Sequence, residues 1–196
     1  MIPLSKETIS LLEDIEKRID PAIEDDFRNQ WLDFLHGRFE GDLFRAKRKK
    51  RSLPSVSLSA VNINDAIADY EMMLRAQLIG VSEALGTETG SLCMRANYGT
   101  GILSSMFGAE IFKMPREMNT LPTTRPVNDT AWIRTAIEKG IPDLKTGFGK
   151  QVLEFGTLCA EVFSKYPKIS RYVTVYHPDL QGPLDICELL WGGEMF

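Results

Sequence analysis

Residues 171–191 change their hydrophobic period in mid-run, and that change restricts the folds open to the chain. Tyr172-Val-Thr-Val-Tyr176 is rich in β-branched and aromatic residues. It breaks at a polar turn, His177-Pro178-Asp179-Leu180-Gln181-Gly182-Pro183, and Leu184, Cys187, Leu190 and Trp191 then recur at helical spacing. The pattern predicts a strand, a loop and a helix. In α/β folds, polar side chains just past the carboxyl end of a strand are where ligands are held, so His177, Asp179 and Gln181 are the first site candidates.

Upstream segments repeat this rhythm. Two helices are predicted over 5–19 and 21–36, the first from a Ser5-Lys-Glu-Thr8 cap region. The basic run Arg45-Ala-Lys-Arg-Lys-Lys-Arg51 follows; with no interleaved aromatic residue in an acidic chain, it reads as a solvated loop rather than a phosphate site. Ser55–Val61 alternates apolar and polar residues and reads as the first strand or as an extended surface segment. Asn62-Ile-Asn-Asp65 then caps a helix that runs to Leu85, where Gly86 stops it. A second strand is expected over 91–98, with Gly99-Thr100-Gly101 as a tight turn into a short helix. Residues 109–114 read as a short strand, and the prolines of Leu121–Val127 forbid regular helix there. Asn128-Asp-Thr130 caps a helix to Lys139, and another is predicted from 144 to 165. Strand and helix alternating in this way predict βα units.

The charge balance narrows the partners. A net charge of -4 and a pI near 5.3 give no electrostatic reason to expect nucleic acid. Three scattered cysteines, Cys93, Cys159 and Cys187, form no Cys-x-x-Cys pair and suit a reducing compartment. No basic-then-apolar leader is read, and no window approaches the ~20 apolar residues of a membrane span. A cytoplasmic chain without a membrane partner is expected.

Gly182-Pro183-Leu184-Asp185-Ile186, after a strand and followed by Leu190 and Gly193, resembles the Gly-Pro-x-Thr-Leu segment of the uroporphyrinogen decarboxylase superfamily. Tyr98-Gly-Thr-Gly-Ile-Leu-Ser-Ser-Met-Phe-Gly-Ala-Glu110 is similar to that superfamily's strand-to-helix segment ending in Phe-Gly-Ala. The resemblance spans roughly residues 60–196 and implies α/β architecture: a partial (β/α)8 TIM barrel with an amino-terminal helical extension. Residues 1–54 would be the extension and its basic loop, and 55–196 the amino-terminal half of the barrel. The last helical pattern reaches the final residue uncapped, so the chain is expected to be cut within a larger domain. An open edge and apolar faces such as Leu190 and Trp191 would then favour a homo-oligomer.

The resemblance implies a tetrapyrrole, a corrinoid or a related methyl-group compound as the small-molecule substrate. Arg95, Asn97 and Tyr98, Arg125 in the proline-rich loop, and His177, Asp179 and Gln181 are the expected substrate-binding residues, with no catalytic residue assigned. Arg125 reads equally as a cap or surface ion-pair partner, and Tyr98 equally as a packing residue. Asn62 and Asn64 fall at another inferred strand end. Asn97-Tyr98-Gly99 stands where the decarboxylases carry Phe-Ser-Asp, and their arginine-rich loop is missing, so the reading tilts from decarboxylation toward a methyltransferase-like or uncharacterised member. No cofactor is required by this segment. Zinc, a corrinoid and a corrinoid-protein partner belong to the methyltransferase branch, whose thiol acceptor zinc activates; those ligands are expected in the other half of that barrel. A non-catalytic corrinoid or small-molecule binding module is the alternative from another class.

Overall fold

The computed structural model describes residues 3–127 and 129–195. Among them are nine α-helices, α1 (Lys6–Arg18), α2 (Pro21–Leu35), α3 (Ile63–Ala68), α4 (Tyr70–Leu85), α5 (Ile102–Met106), α6 (Thr130–Lys139), α7 (Gly147–Phe163), α8 (Pro167–Tyr172) and α9 (Pro183–Trp191). The strands are two residues each: β1 (Cys93–Met94), β2 (Ile111–Phe112), β3 (Thr123–Thr124) and β4 (Thr174–Val175). They form two separate pairs, β1 with β4 in parallel and β2 with β3 antiparallel.

The expected partial (β/α)8 barrel is therefore not present, and the chain is mainly helical among its described residues. Each strand-like run is shortened by a local cause. Pro167 at the first position of α8 draws Tyr172 into that helix, which leaves only Thr174 and Val175 to pair. Ser55 has both its amide and its hydroxyl bonded to the Asp14 carboxylate, and no ladder forms over 55–61. Pro115 and Pro122 both lie in the connection between β2 and β3, where each proline removes a ladder donor. The predicted helix over 65–85 is two helices, because Asp69 is extended (φ −138°, ψ 129°) and its carboxylate accepts the Met72 amide. Asn128 lies outside the described residues; Asp129 caps α6 through the amides of Ala131 and Trp132.

The chain divides into two compact units. The first comprises Met1–Ala60, Leu74–Met94 and Cys159–Tyr176. Its core is Leu11, Leu12 and Ile15 of α1, Leu74, Leu78 and Val81 of α4, and Phe163 and Ile169. Two buried ion pairs lie within it. The basic run is not a solvated loop at Arg48, whose side chain is 1% exposed. Nε and Nη2 donate to the two Glu24 oxygens at 2.6 and 2.9 Å, and Nη1 and Nη2 donate to the carbonyls of Ala84, Thr87 and Gly90. All five guanidinium donors are thus used, and the plane lies over Phe27 at 4.9 Å. The segment runs extended here, so Ala46 and Arg48 face inward while Lys47 and Lys49 face water.

Asp14, with its side chain 2% exposed, pairs with Arg18 at 2.9 Å. Burial raises its carboxyl pKa, but hydrogen bonds from the Ser55 hydroxyl, Arg18 and the Ser55 amide, with the Arg18 charge, together hold it below the ordinary 3.8. A folded pKa below the unfolded one stabilises fully above the unfolded value and is lost as pH falls through the folded one. Asp14→Asn is therefore expected to destabilise by about 1–3 kcal/mol near neutrality. Urea melts of both proteins should show that gap shrinking below about pH 3.8. A gap that persists unchanged into acid would contradict the assignment.

The second unit comprises Val61–Met73, Arg95–Leu158 and His177–Phe196. Tyr98, Ile102, Phe148 and Phe155 are at its centre, all at most 2% exposed. Ser104 and Thr124 share a buried hydroxyl contact of 2.7 Å, and the Ser105 hydroxyl accepts the Phe148 amide at 3.0 Å, fastening α5 to β3 and to the start of α7. The face of α9 packs with α5 and α6 around an apolar groove lined by Phe107, Trp132, Ile137, Ile186, Leu190 and Trp191.

Candidate functional site

β1 and β4 pair with Cys93 opposite Thr174 and Met94 opposite Val175. Because the pair is parallel, the chain leaves both strands in the same direction. The residues that follow, Arg95 onward and His177 onward, belong to the second unit.

There Arg95 Nη2 lies 3.7 Å from Asp179 Oδ2, with the two side chains 27% and 32% exposed. The other carboxylate oxygen of Asp179 accepts from Gln181 Nε2 at 3.1 Å. Arg95, Asp179 and Gln181 are thus brought together. His177 is exposed, with its Nδ1 2.8 Å from the Pro178 carbonyl. A carbonyl only accepts, so Nδ1 carries the hydrogen in that contact. Asp185 Oδ2 accepts the Gly182 amide at 3.1 Å, which fixes the end of the loop onto α9.

Asn97 is the unusual member. Its amide oxygen is buried and has no hydrogen-bond donor among the described residues. A buried acceptor left unsatisfied costs about 1–3 kcal/mol, and such groups are few in native structures. Tyr98 beside it is fully buried, its ring 5.2 Å from that of Phe148, and acts in packing.

The turn that follows is shaped by close contact. Gly99 has φ +77°, and a side chain there would collide with the Pro122 carbonyl. A Cβ on Gly101 would lie 2.9 Å from the Thr124 methyl. Both glycines therefore let this turn lie against the 122–124 segment.

Arg125 engages β2 instead: its amide donates to the Glu110 carbonyl at 3.0 Å, and its guanidinium sits 4.4 Å above the Phe112 ring. The remaining polar candidates hold structure. Asn62 caps α3 and donates to the Arg116 carbonyl, and Asn64 donates to the Met114 carbonyl. Sequence patterning had no means of separating these from Asn97, since all follow an apolar run. The separating signal is burial without a partner, a property of three dimensions.

Compared with known proteins, the chain matches no family model, no curated protein and no solved structure. Among the described residues no group of three or more histidine, cysteine, aspartate or glutamate side chains is disposed to hold a metal ion. The residues described thus do not provide the zinc site of the methyltransferase branch. No helix of the described residues is long and apolar enough to cross a membrane.

Proposed function

We propose that the chain binds a small molecule of the tetrapyrrole or corrinoid class at the Arg95–Asn97 and His177–Gln181 segments. The Asn97 amide oxygen carries this reading: a buried acceptor without a donor is satisfied by an N–H or O–H of a ligand. Arg95 adds a partly exposed guanidinium suited to a ligand carboxylate. A porphyrin with carboxylate side chains offers both pyrrole N–H donors and anionic oxygens, and it is the class that the uroporphyrinogen decarboxylase resemblance implies. A cobalamin carries amides where the porphyrin carries carboxylates, so Arg95 favours the porphyrin over the corrinoid. The arrangement provides recognition; binding rather than turnover is the activity proposed for these residues.

Coproporphyrin, whose visible absorption shifts on binding, is the probe. Saturable binding with a Kd of about 1–100 μM is expected, with weaker binding of cyanocobalamin. Asn97→Ala should weaken coproporphyrin binding about tenfold while leaving the melting temperature unchanged or higher, because it removes an unsatisfied buried group. Undiminished binding by that variant, or a lowered melting temperature, would count against Asn97 as a ligand contact.

A further inference from the structure

We infer that Asp179 is a built-in competitor for Arg95, which an anionic ligand must displace; the inference rests on the binding reading above. At 3.7 Å the Arg95–Asp179 separation exceeds the roughly 2.7–2.9 Å of a charge-assisted hydrogen bond. Pairs of the same unit span a range: Arg116 meets both oxygens of Asp65, at 2.5 and 2.7 Å, while Arg125 and Glu110 stay 3.9 Å apart. Asp179 is instead held by its own loop, through the 3.1 Å bond that Gln181 donates to Oδ1. Its Oδ2 is thereby pointed at the guanidinium without being bound to it.

Three consequences follow from that geometry. Asp179 holds a negative charge beside Arg95 when no ligand is present. A ligand carboxylate approaching Arg95 meets a negative charge already in place, and only an anion held by further contacts displaces it. Small inorganic anions are therefore rejected and a polycarboxylate ring is admitted, so Asp179 is a specificity determinant rather than a ligand contact.

The test is a coproporphyrin titration, followed by absorbance, on the full chain and on Asp179→Asn, Arg95→Ala and the double variant. Asn at 179 keeps the acceptor for Gln181 and removes only the charge. Asp179→Asn should bind coproporphyrin about two- to fivefold more tightly, the factor carried by a partly exposed ion pair. It should also become measurably inhibited by inorganic phosphate, and leave cyanocobalamin affinity unchanged. In the Arg95→Ala background the tightening should disappear. Should Asp179→Asn lower the melting temperature, Asp179→Ser carries the same expectation.

Unchanged or weaker coproporphyrin binding by these variants overturns the competition while leaving the binding site in place. So does tightening that survives in the Arg95→Ala background. Failure of the unsubstituted chain to bind coproporphyrin overturns the binding reading itself and the competition with it.

Discussion

Arg48→Met is expected to destabilise the first unit by about 3–5 kcal/mol, the range for breaking one side of a buried ion pair. For a chain of this size that corresponds to a fall of roughly 6–20 °C in melting temperature. The substitution fills much of the same volume with apolar atoms, so the loss comes from polar groups. It leaves the Glu24 carboxylate buried without its partner and takes from the carbonyls of Thr87 and Gly90 the donor that Arg48 supplies. Adding Glu24→Leu should restore part of the loss, because it removes the orphaned charge but not the orphaned carbonyls. Calorimetric melts of the single and double variants check this. A single variant within about 1 kcal/mol of the parent would show that the pair is not the structural junction described.

Phe148→Ala is the second large effect. The ring is 2% exposed and lies against Tyr98, the residue next to Asn97. Removing a buried phenylalanine costs about 3–5 kcal/mol, from lost transfer free energy and from the cavity that remains. The loss should be accompanied by weaker coproporphyrin binding, since Tyr98 would lose the ring that holds its backbone, and with it the Asn97 amide, in place. Phe148→Leu should recover much of the stability, as it refills most of the space. Equilibrium urea unfolding measured beside the titration separates the two consequences; full stability in Phe148→Ala would contradict the placement of Phe148 at the centre of the second unit.

The helices were legible in the sequence where caps and periodicity agreed. Ser5 and α1, Pro21 and α2, and Gly182-Pro183 and α9 fall where those signals place them, because capping is local. The sheet was legible in one respect only. Residues near 93 and 174 do pair in parallel, but the alternation of 55–61 and the β-rich run at 172–176 suggested much longer strands than exist. A strand needs a partner to hydrogen-bond with, which no short pattern encodes, and here Asp14 and the start of α8 took those residues first. Arg48 was misplaced for a similar reason: a charge reads as solvent-facing unless its counter-charge is known to be near, and Glu24 is 24 residues away. At the site, the proximity of Arg95 to Asp179 followed from placing both after strands. The missing donor at Asn97 and the packing of Tyr98 did not, since both depend on what surrounds them.

The central claim, that the segments after β1 and β4 form a ligand site, is tested most directly by residue-resolved NMR. A 15N-labelled sample of the full chain, titrated with coproporphyrin, gives a map of perturbed amide and side-chain signals. Saturable shifts are expected at Arg95, Asn97, Asp179 and Gln181 with one common Kd, the Asn97 side-chain amide among the largest. Shifts confined to the groove of Phe107, Trp132 and Trp191, with the Asn97 and Asp179 signals unmoved, would contradict it.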